Sequence, residues 1–237
     1  MTVSLEKAAP TTPKRRFPLS TFAAKVVMAV TGIVFAAFVF VHMVGNLKVF
    51  FGADHFNEYA AWLRDAFTPL LPHEGLLWIL RAVLLAALVA HVGCAILVAI
   101  RGRRARGPHR RRALPLRTFG TRTMLVTGIV LFLFLVFHLL DLTIGAPPAA
   151  TDVFEHGDAY ANLVASFRRP WAAAVYIAAM LALVLHLVHG LWLSAHDLGV
   201  TGKRVRAVWK VLGFAVALVV AVGNTSIPLF ILLGVVR

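Results

Sequence analysis

Five segments of this 237-residue chain are apolar enough and long enough to cross a lipid bilayer. A helix needs about 20 apolar residues to span the hydrocarbon core, and open strands are excluded there because lipid cannot satisfy their backbone hydrogen bonds. The sequence therefore predicts an all-α membrane bundle of five transmembrane helices within residues 20–237, preceded by a polar tail over residues 1–19. The helices are expected near residues 22–46, 75–100, 121–143, 171–195 and 207–235.

The distribution of charge predicts how these helices are oriented. The net charge is +14, and 18 of the 24 Lys and Arg residues lie within residues 7–25, 101–122 and 203–210, whereas eight of the ten acidic residues lie within residues 54–74 and 141–158, between these regions. Basic loops favour the cytoplasmic side of a membrane. We therefore expect a multi-pass protein of the cell inner (plasma) membrane, with its N-terminus in the cytoplasm and its C-terminus outside. The basic residues then face lipid headgroups and protein partners, and no nucleic-acid partner is needed to explain them.

A repeat relates the first two helical segments to the third and fourth. TGIVFAAFVFVH (residues 31–42) recurs as TGIVLFLFLVFH (residues 127–138), at an offset of 96, and ALVAH (residues 87–91) recurs as ALVLH (residues 182–186), at an offset of 95. The similar offsets indicate two pseudo-equivalent helical hairpins. Each copy of each motif ends in a histidine.

These four histidines are expected at two depths. At the helical rise per residue, His42 and His138 lie about 25 Å and about 24 Å from the cytoplasmic ends of their helices, whereas His91 and His186 lie only about 15 Å and about 16 Å from theirs. The sequence thus predicts an outer pair, His42 with His138, and an inner pair, His91 with His186. His189, one turn beyond His186, is the second choice for the inner pair, because the repeat and the depth favour His186.

The pairs predict a cofactor, since an ionisable side chain inside lipid is costly and is a candidate functional residue. Two imidazoles from different helices can bind a metal ion or coordinate a haem iron from both sides. Zinc favours four ligands, and no Cys, Asp or Glu lies at either depth. A haem iron is already bound by the four nitrogens of the macrocycle, so the protein has to supply only the axial ligands. Because the chain has one cysteine and no CxxCH motif, two non-covalent b haems are the favoured cofactors.

Three basic residues are candidates for binding the anionic haem propionates. Arg81 lies ten residues before His91, near the depth of the outer pair, so we expect it to contact a propionate of the outer haem. Lys25 and Arg122 could contact the inner haem. As residues at helix ends, they could equally extend to lipid headgroups.

Two stretches resemble a known family. HMVGNLKVFFGADHFNEYAAWL (residues 42–63) and HLVHGLWLSAHDLG (residues 186–199) resemble the segments after the first helix and in the fourth helix of the cytochrome b membrane-anchor subunit of succinate dehydrogenase and fumarate reductase. The branch of this family that the sequence resembles has a single membrane chain with five helices and two haems. The resemblance covers residues 20–235. It implies haem-iron ligands at His42, His91, His138 and His186, paired as above.

The resemblance also implies a function in the respiratory chain and the tricarboxylic acid cycle. A flavoprotein subunit and an iron–sulfur subunit are expected on the cytoplasmic face. Electrons are expected to pass through the inner haem and then the outer haem to a membrane quinone, which we expect to be menaquinone. This chain would carry out the quinone half-reaction of succinate:quinone oxidoreductase and would hold neither the flavin nor the dicarboxylate. The residues that handle the quinone are left open, with His55, Glu58, Asp65 and Asp141 as outer-side candidates.

Two alternatives remain at this point. A cytochrome b anchor of another dehydrogenase, such as hydrogenase or formate dehydrogenase, would share the haem sites and differ in its soluble partner. A transporter that relays ions through intramembrane histidines would bind no haem.

Overall fold

The computed structural model of the chain describes residues 19–106 and 115–237, and the side chains of residues 19–105 and 123–237. The polar tail predicted over residues 1–19 lies almost wholly outside the described residues. Within the described part of the chain, all regular structure is helical. This confirms the prediction of an all-α fold.

Five long helices form the bundle, and each contains a stretch that is long and apolar enough to cross a membrane. The five-helix membrane fold is therefore confirmed. A 3₁₀-helix at Leu47–Phe51 extends the first long helix, and a π-helical turn at Leu140–Ile144 extends the third long helix. The long helices are α1 (Thr21–Asn46), α3 (Gly75–Arg106), α4 (Pro115–Leu139), α6 (Pro170–Asp197) and α7 (Lys203–Leu232), and two short ones are α2 (Ala53–Asp65) and α5 (Ala159–Phe167).

The surfaces of these helices are suited to lipid. Large apolar side chains such as Leu85, Val89 and Leu133 are more than half exposed, and they recur on several faces of α3 and α4. A water-soluble protein of this size would bury most of them. In a bilayer the same side chains contact acyl chains, so the bundle does not need to cover them.

The packing order of the helices leaves two gaps. Helix α6 packs against α7, α4 and α1, and α1 packs in turn against α3 and α7. Ala36, Leu187, Ala217 and Val220 form a small buried cluster where α1, α6 and α7 meet. Within the described residues, α1 hardly contacts α4, and α3 hardly contacts α6. The backbones of the two helices in each of these pairs are therefore separated, and we call this separation an interhelical gap.

The short helices cover one end of the bundle, which we call the outer end because the charge pattern predicts that it faces outside. Apolar residues of α2, α5 and α7, including Phe56, Leu163 and Ile227, form a second buried cluster there. Asn57 on α2 donates a hydrogen bond to Asp158, the N-cap of α5 (3.0 Å). Hydrogen bonds from the backbone N–H of Ala161 and from Asn57 hold the pKa of Asp158 below its usual range.

Gly145 ends the π-helical turn that follows α4, and its conformation requires glycine. Its backbone is left-handed, with φ 76° and ψ 34°. A Cβ atom added there would overlap the ring of Phe154. Gly145 thus allows the chain to leave α4 close beside the loop that leads to α5.

We expect Gly145→Ala to lower the thermal unfolding temperature of the detergent-purified protein. A side chain in left-handed backbone costs about 1–2 kcal/mol, and the ring of Phe154 would have to move as well. Gly199→Ala is the matched control, because Gly199 also has a positive φ, 83°, but an added Cβ there meets no atom within 4 Å. The control should show the smaller decrease. Equal decreases in the two variants would show that the contact with Phe154 contributes nothing.

Candidate functional site

The structure brings the four repeated histidines together as two pairs of facing rings. His42 on α1 faces His138 on α4, with ring centroids 5.9 Å apart and ring planes at 79°. His91 on α3 faces His186 on α6, with centroids 6.5 Å apart and planes at 56°. Each pair spans one of the two gaps between helices that hardly contact each other.

The spacing of the rings suits a single metal centre between the members of each pair. A bond between a metal and an imidazole nitrogen is about 2 Å long and the centroid lies about 1 Å behind that nitrogen, so one ion between two imidazoles places their centroids about 6 Å apart. Among the described residues, no group of three or more His, Cys, Asp or Glu side chains could hold a metal ion. Two facing ligands and an interhelical gap fit haem, which brings its own equatorial nitrogens, and do not fit a tetrahedral metal site.

Two threonines orient the inner pair. Thr31 Oγ1 lies 2.9 Å from His91 Nδ1, and Thr127 Oγ1 lies 3.1 Å from His186 Nδ1. Each hydroxyl donates its only proton to a backbone carbonyl in its own helix, that of Val27 or Thr123, at 2.7 Å. On this basis we assign each threonine oxygen as the acceptor of a hydrogen bond from the histidine Nδ1–H. This leaves Nε2 of both histidines unprotonated, as a metal ligand requires.

Sequence reasoning missed these threonines, although they open the two copies of the repeat. The glycine that follows each threonine also lies against the inner pair: a Cβ at Gly32 would lie 3.4 Å from Cε1 of His91, and one at Gly128 would lie 3.5 Å from Cε1 of His186. The beginning of each TGIV…H copy thus serves the inner pair, and its final histidine serves the outer pair. The shared TG dipeptide was the available signal for this.

The outer pair is held differently. His138 Nδ1 lies 3.2 Å from the hydroxyl of Tyr176, and Tyr176 donates to Oδ2 of Asp141 at 3.0 Å. Asp141 is 1 % exposed and also accepts hydrogen bonds from Ser166 Oγ (2.6 Å) and Arg169 Nη2 (2.7 Å). The ring of His42 stacks on Phe38, with centroids 5.4 Å apart. Sequence reasoning named Asp141 as a quinone candidate and did not identify its three donors.

An open cleft of about 470 Å³ lies at the outer end, lined by Lys48, His55, Glu58, Tyr59 and Trp62. Lys48 Nζ lies 5.1 Å from the centre of the Tyr59 ring. A Cβ added at Gly45 would lie 2.7 Å from the Tyr59 hydroxyl. Tyr59, which lines the cleft, thus lies against Gly45, one helical turn after His42.

Two of the quinone candidates lie outside this cleft. Asp65 Oδ1 is 2.8 Å from Nδ1 of His73, and both side chains are exposed. The carboxylate of Asp141 is buried and engaged with three donors. His55 and Glu58 are the candidates that line the cleft.

The residues predicted to bind propionates have other partners where the structure describes them. Arg81 forms an ion pair with Glu74 (3.4 Å) and lies over the ring of Trp78. Lys25 forms an ion pair with Asp197 (3.6 Å). The side chain of Arg122 lies outside the described residues.

His189 does not take the place of His186. The ring that faces His91 is that of His186, whereas the nearest aromatic neighbour of His189 is Trp192, with centroids 6.2 Å apart. The Nε2 atom of His189 is buried and has no hydrogen-bond partner among the described residues.

The fold and the site together define a multi-pass membrane protein with paired intramembrane histidines. Residues 100–224 match the model of the succinate dehydrogenase/fumarate reductase transmembrane subunit. The match covers more than half of the chain, and the chain belongs to this family. It includes His138 and His186, one member of each pair. Comparisons with curated proteins and with solved structures gave no significant match.

Proposed function

We propose that this chain is the di-haem cytochrome b anchor of a succinate dehydrogenase, and that it conveys electrons from an iron–sulfur subunit to a membrane quinone, menaquinone. The observation that carries the proposal is the presence of two facing histidine pairs, with centroid separations of 5.9 and 6.5 Å, in a chain of this family. Haem bound at each pair would supply reversible one-electron chemistry between the two sides of the membrane.

The protein's part in this function is to hold the ligands and to keep water away. Each pair joins two helices whose separation is set by packing against other helices. Hydroxyl groups within hydrogen-bond distance of Nδ1 in three of the four histidines would leave Nε2 of those rings as the ligating nitrogen. Arg81, Lys25 and Arg122 remain predicted partners of the haem propionates, although Arg81 and Lys25 also form ion pairs with carboxylates.

The open cleft beside the outer pair is proposed as the quinone site. Its volume of about 470 Å³ is within the usual range for small-molecule pockets. It combines the aromatic rings of Tyr59 and Trp62 with the polar groups of Lys48, His55 and Glu58. Reduction of a quinone takes up protons as well as electrons, and Glu58 and His55 are side chains that can deliver them.

The partner subunits are proposed to dock at the opposite end, where the sequence places its basic loops. A flavoprotein subunit would oxidise succinate there, and an iron–sulfur subunit would contact this chain. The flavin and the dicarboxylate would belong to those subunits. An anchor for hydrogenase or formate dehydrogenase would be recognised by copurification with a different soluble enzyme.

We expect the detergent-purified protein to contain two b haems, measured as pyridine haemochrome and by a dithionite-reduced minus oxidised spectrum. His186→Ala should lower the content to one haem per chain, because His91 would lose its facing ligand. His189→Ala is the matched control one turn away and should keep both haems. A cofactor-retaining preparation of the unaltered chain with no haem would contradict the proposed function and favour the transporter.

We expect Thr127→Val to weaken the binding of one haem about 10-fold, because loss of the acceptor on Nδ1 frees the His186 ring to rotate and lowers its basicity. The change is measured as a faster transfer of haem to excess apomyoglobin. Thr127→Ser keeps the hydroxyl and should behave like the unaltered chain. Equal rates for the valine and serine variants would exclude a ligand-orienting role for Thr127.

We expect Glu58→Gln to slow quinone turnover at least about 10-fold, since delivery of a proton by a positioned side chain contributes about 100-fold or more. Both haem spectra should stay unchanged. Asp65→Asn, which neutralises a nearby carboxylate outside the cleft, is the control and should keep normal turnover. Unchanged turnover in the Glu58 variant would remove this residue from the quinone site.

A further inference from the structure

We propose that Asp141 and Tyr176 act together as positioning residues that make His138 a stronger electron donor than His42, the other ligand of the outer pair. They thereby lower the midpoint potential of the haem iron bound there. The proposal rests on the di-haem function proposed above. One buried carboxylate and one buried phenol would thus affect only one of the two haems.

The direction of the hydrogen bonds follows from the number of available protons. The hydroxyl of Tyr176 has one proton, and Asp141 Oδ2, 3.0 Å away, is an acceptor that takes it. Tyr176 therefore accepts from Nδ1–H of His138 at 3.2 Å. The result is a directed series from imidazole to phenol to carboxylate, and its last two members are 7 % and 1 % exposed.

Such a series makes the imidazole more basic. In a medium of low dielectric constant, hydrogen bonds in series polarise one another, so the carboxylate makes the phenol oxygen a stronger acceptor. A stronger acceptor on Nδ1–H raises the basicity of the ligating nitrogen. A more basic axial ligand stabilises the oxidised iron over the reduced iron, which lowers the midpoint potential.

The carboxylate is kept in place by its other two donors. Arg169 donates to Asp141 Oδ1 at 2.7 Å and to the carbonyl of Ala149 at 2.8 Å, so its guanidinium is fixed between the two. Ser166 donates to the same oxygen of Asp141 that accepts from Tyr176. Asp141 thus keeps one geometry toward the phenol.

The repeat shows that the other three histidines lack this arrangement. The repeat offset of 96 matches Asp141 to Gly45, which has no carboxylate. The repeat offset of 95 matches Tyr176 to Arg81, which has no phenol. The inner histidines donate to threonine hydroxyls that are backed by neutral backbone carbonyls. The carboxylate-backed acceptor is therefore specific to His138 among the four.

The test is a spectroelectrochemical titration of the full chain, purified from membranes in mild detergent with its associated subunits. Tyr176→Phe should raise the midpoint potential of one haem and leave the other unchanged. The electron paramagnetic resonance signal of the same ferric haem should shift, because its ligand field is altered. Thr127→Val is the matched control, since it removes the acceptor from the inner pair and should affect the other haem.

The proposal is overturned if Tyr176→Phe leaves both potentials unchanged, if it moves both equally, or if it affects the same haem as Thr127→Val. If Tyr176→Phe loses a haem, Asp141→Asn decides, because it keeps Tyr176 against His138 and removes the negative charge that both Tyr176 and Arg169 contact. A raised potential at the outer haem then supports the proposal, and an unchanged one overturns it. Absence of haem from the unaltered chain would refute the proposed function itself and is distinguishable from all of these results.

Discussion

The second nitrogen of each paired histidine is the group on which the rest of the site depends. A polar group inside a membrane bundle needs a partner within the protein, because lipid offers none. Threonine hydroxyls satisfy Nδ1 of His91 and His186, and a tyrosine satisfies Nδ1 of His138. These bonds favour the tautomer with its proton on Nδ1 and leave Nε2 as the unprotonated nitrogen of these three histidines.

The same bonds also fix the helices relative to one another along the membrane normal. Helices α1 and α4 each carry an acceptor for the inner pair and, eleven residues on, a histidine of the outer pair. Helix α6 carries His186 for the inner pair and Tyr176 for the outer pair. A sliding movement of α1 or α4 would therefore disturb both pairs at once. Packing of α6 against α1, α4 and α7 resists such movement.

Much of this arrangement could be predicted from the sequence, because apolar length and a constant helical rise determine depth. The five helices are confirmed, and the four histidines meet in the combinations that their depths required. Tyr176, Ser166 and Arg169 could not be predicted in the same way, since their contact with Asp141 depends on the rotation of α6 and on the path of the chain between α4 and α5. Hydropathy does not report rotation within a span that is apolar on all sides. Thr31 and Thr127 recur in the repeat, but the sequence does not show that they contact the inner pair, because that depends on how α1 and α4 lie beside α3 and α6.

The buried charge beside the outer pair is difficult to explain as a source of stability. A carboxylate and a guanidinium removed from water lose hydration energy that their attraction often fails to recover, and apolar side chains of similar volume commonly serve stability as well. Asp141 and Arg169 nevertheless meet at 2.7 Å, next to the one histidine whose acceptor is a phenol. The equivalent positions of the first hairpin carry no such carboxylate. A costly group that departs from the repeat at this one place is better explained by its electrostatic effect on His138 than by its contribution to folding.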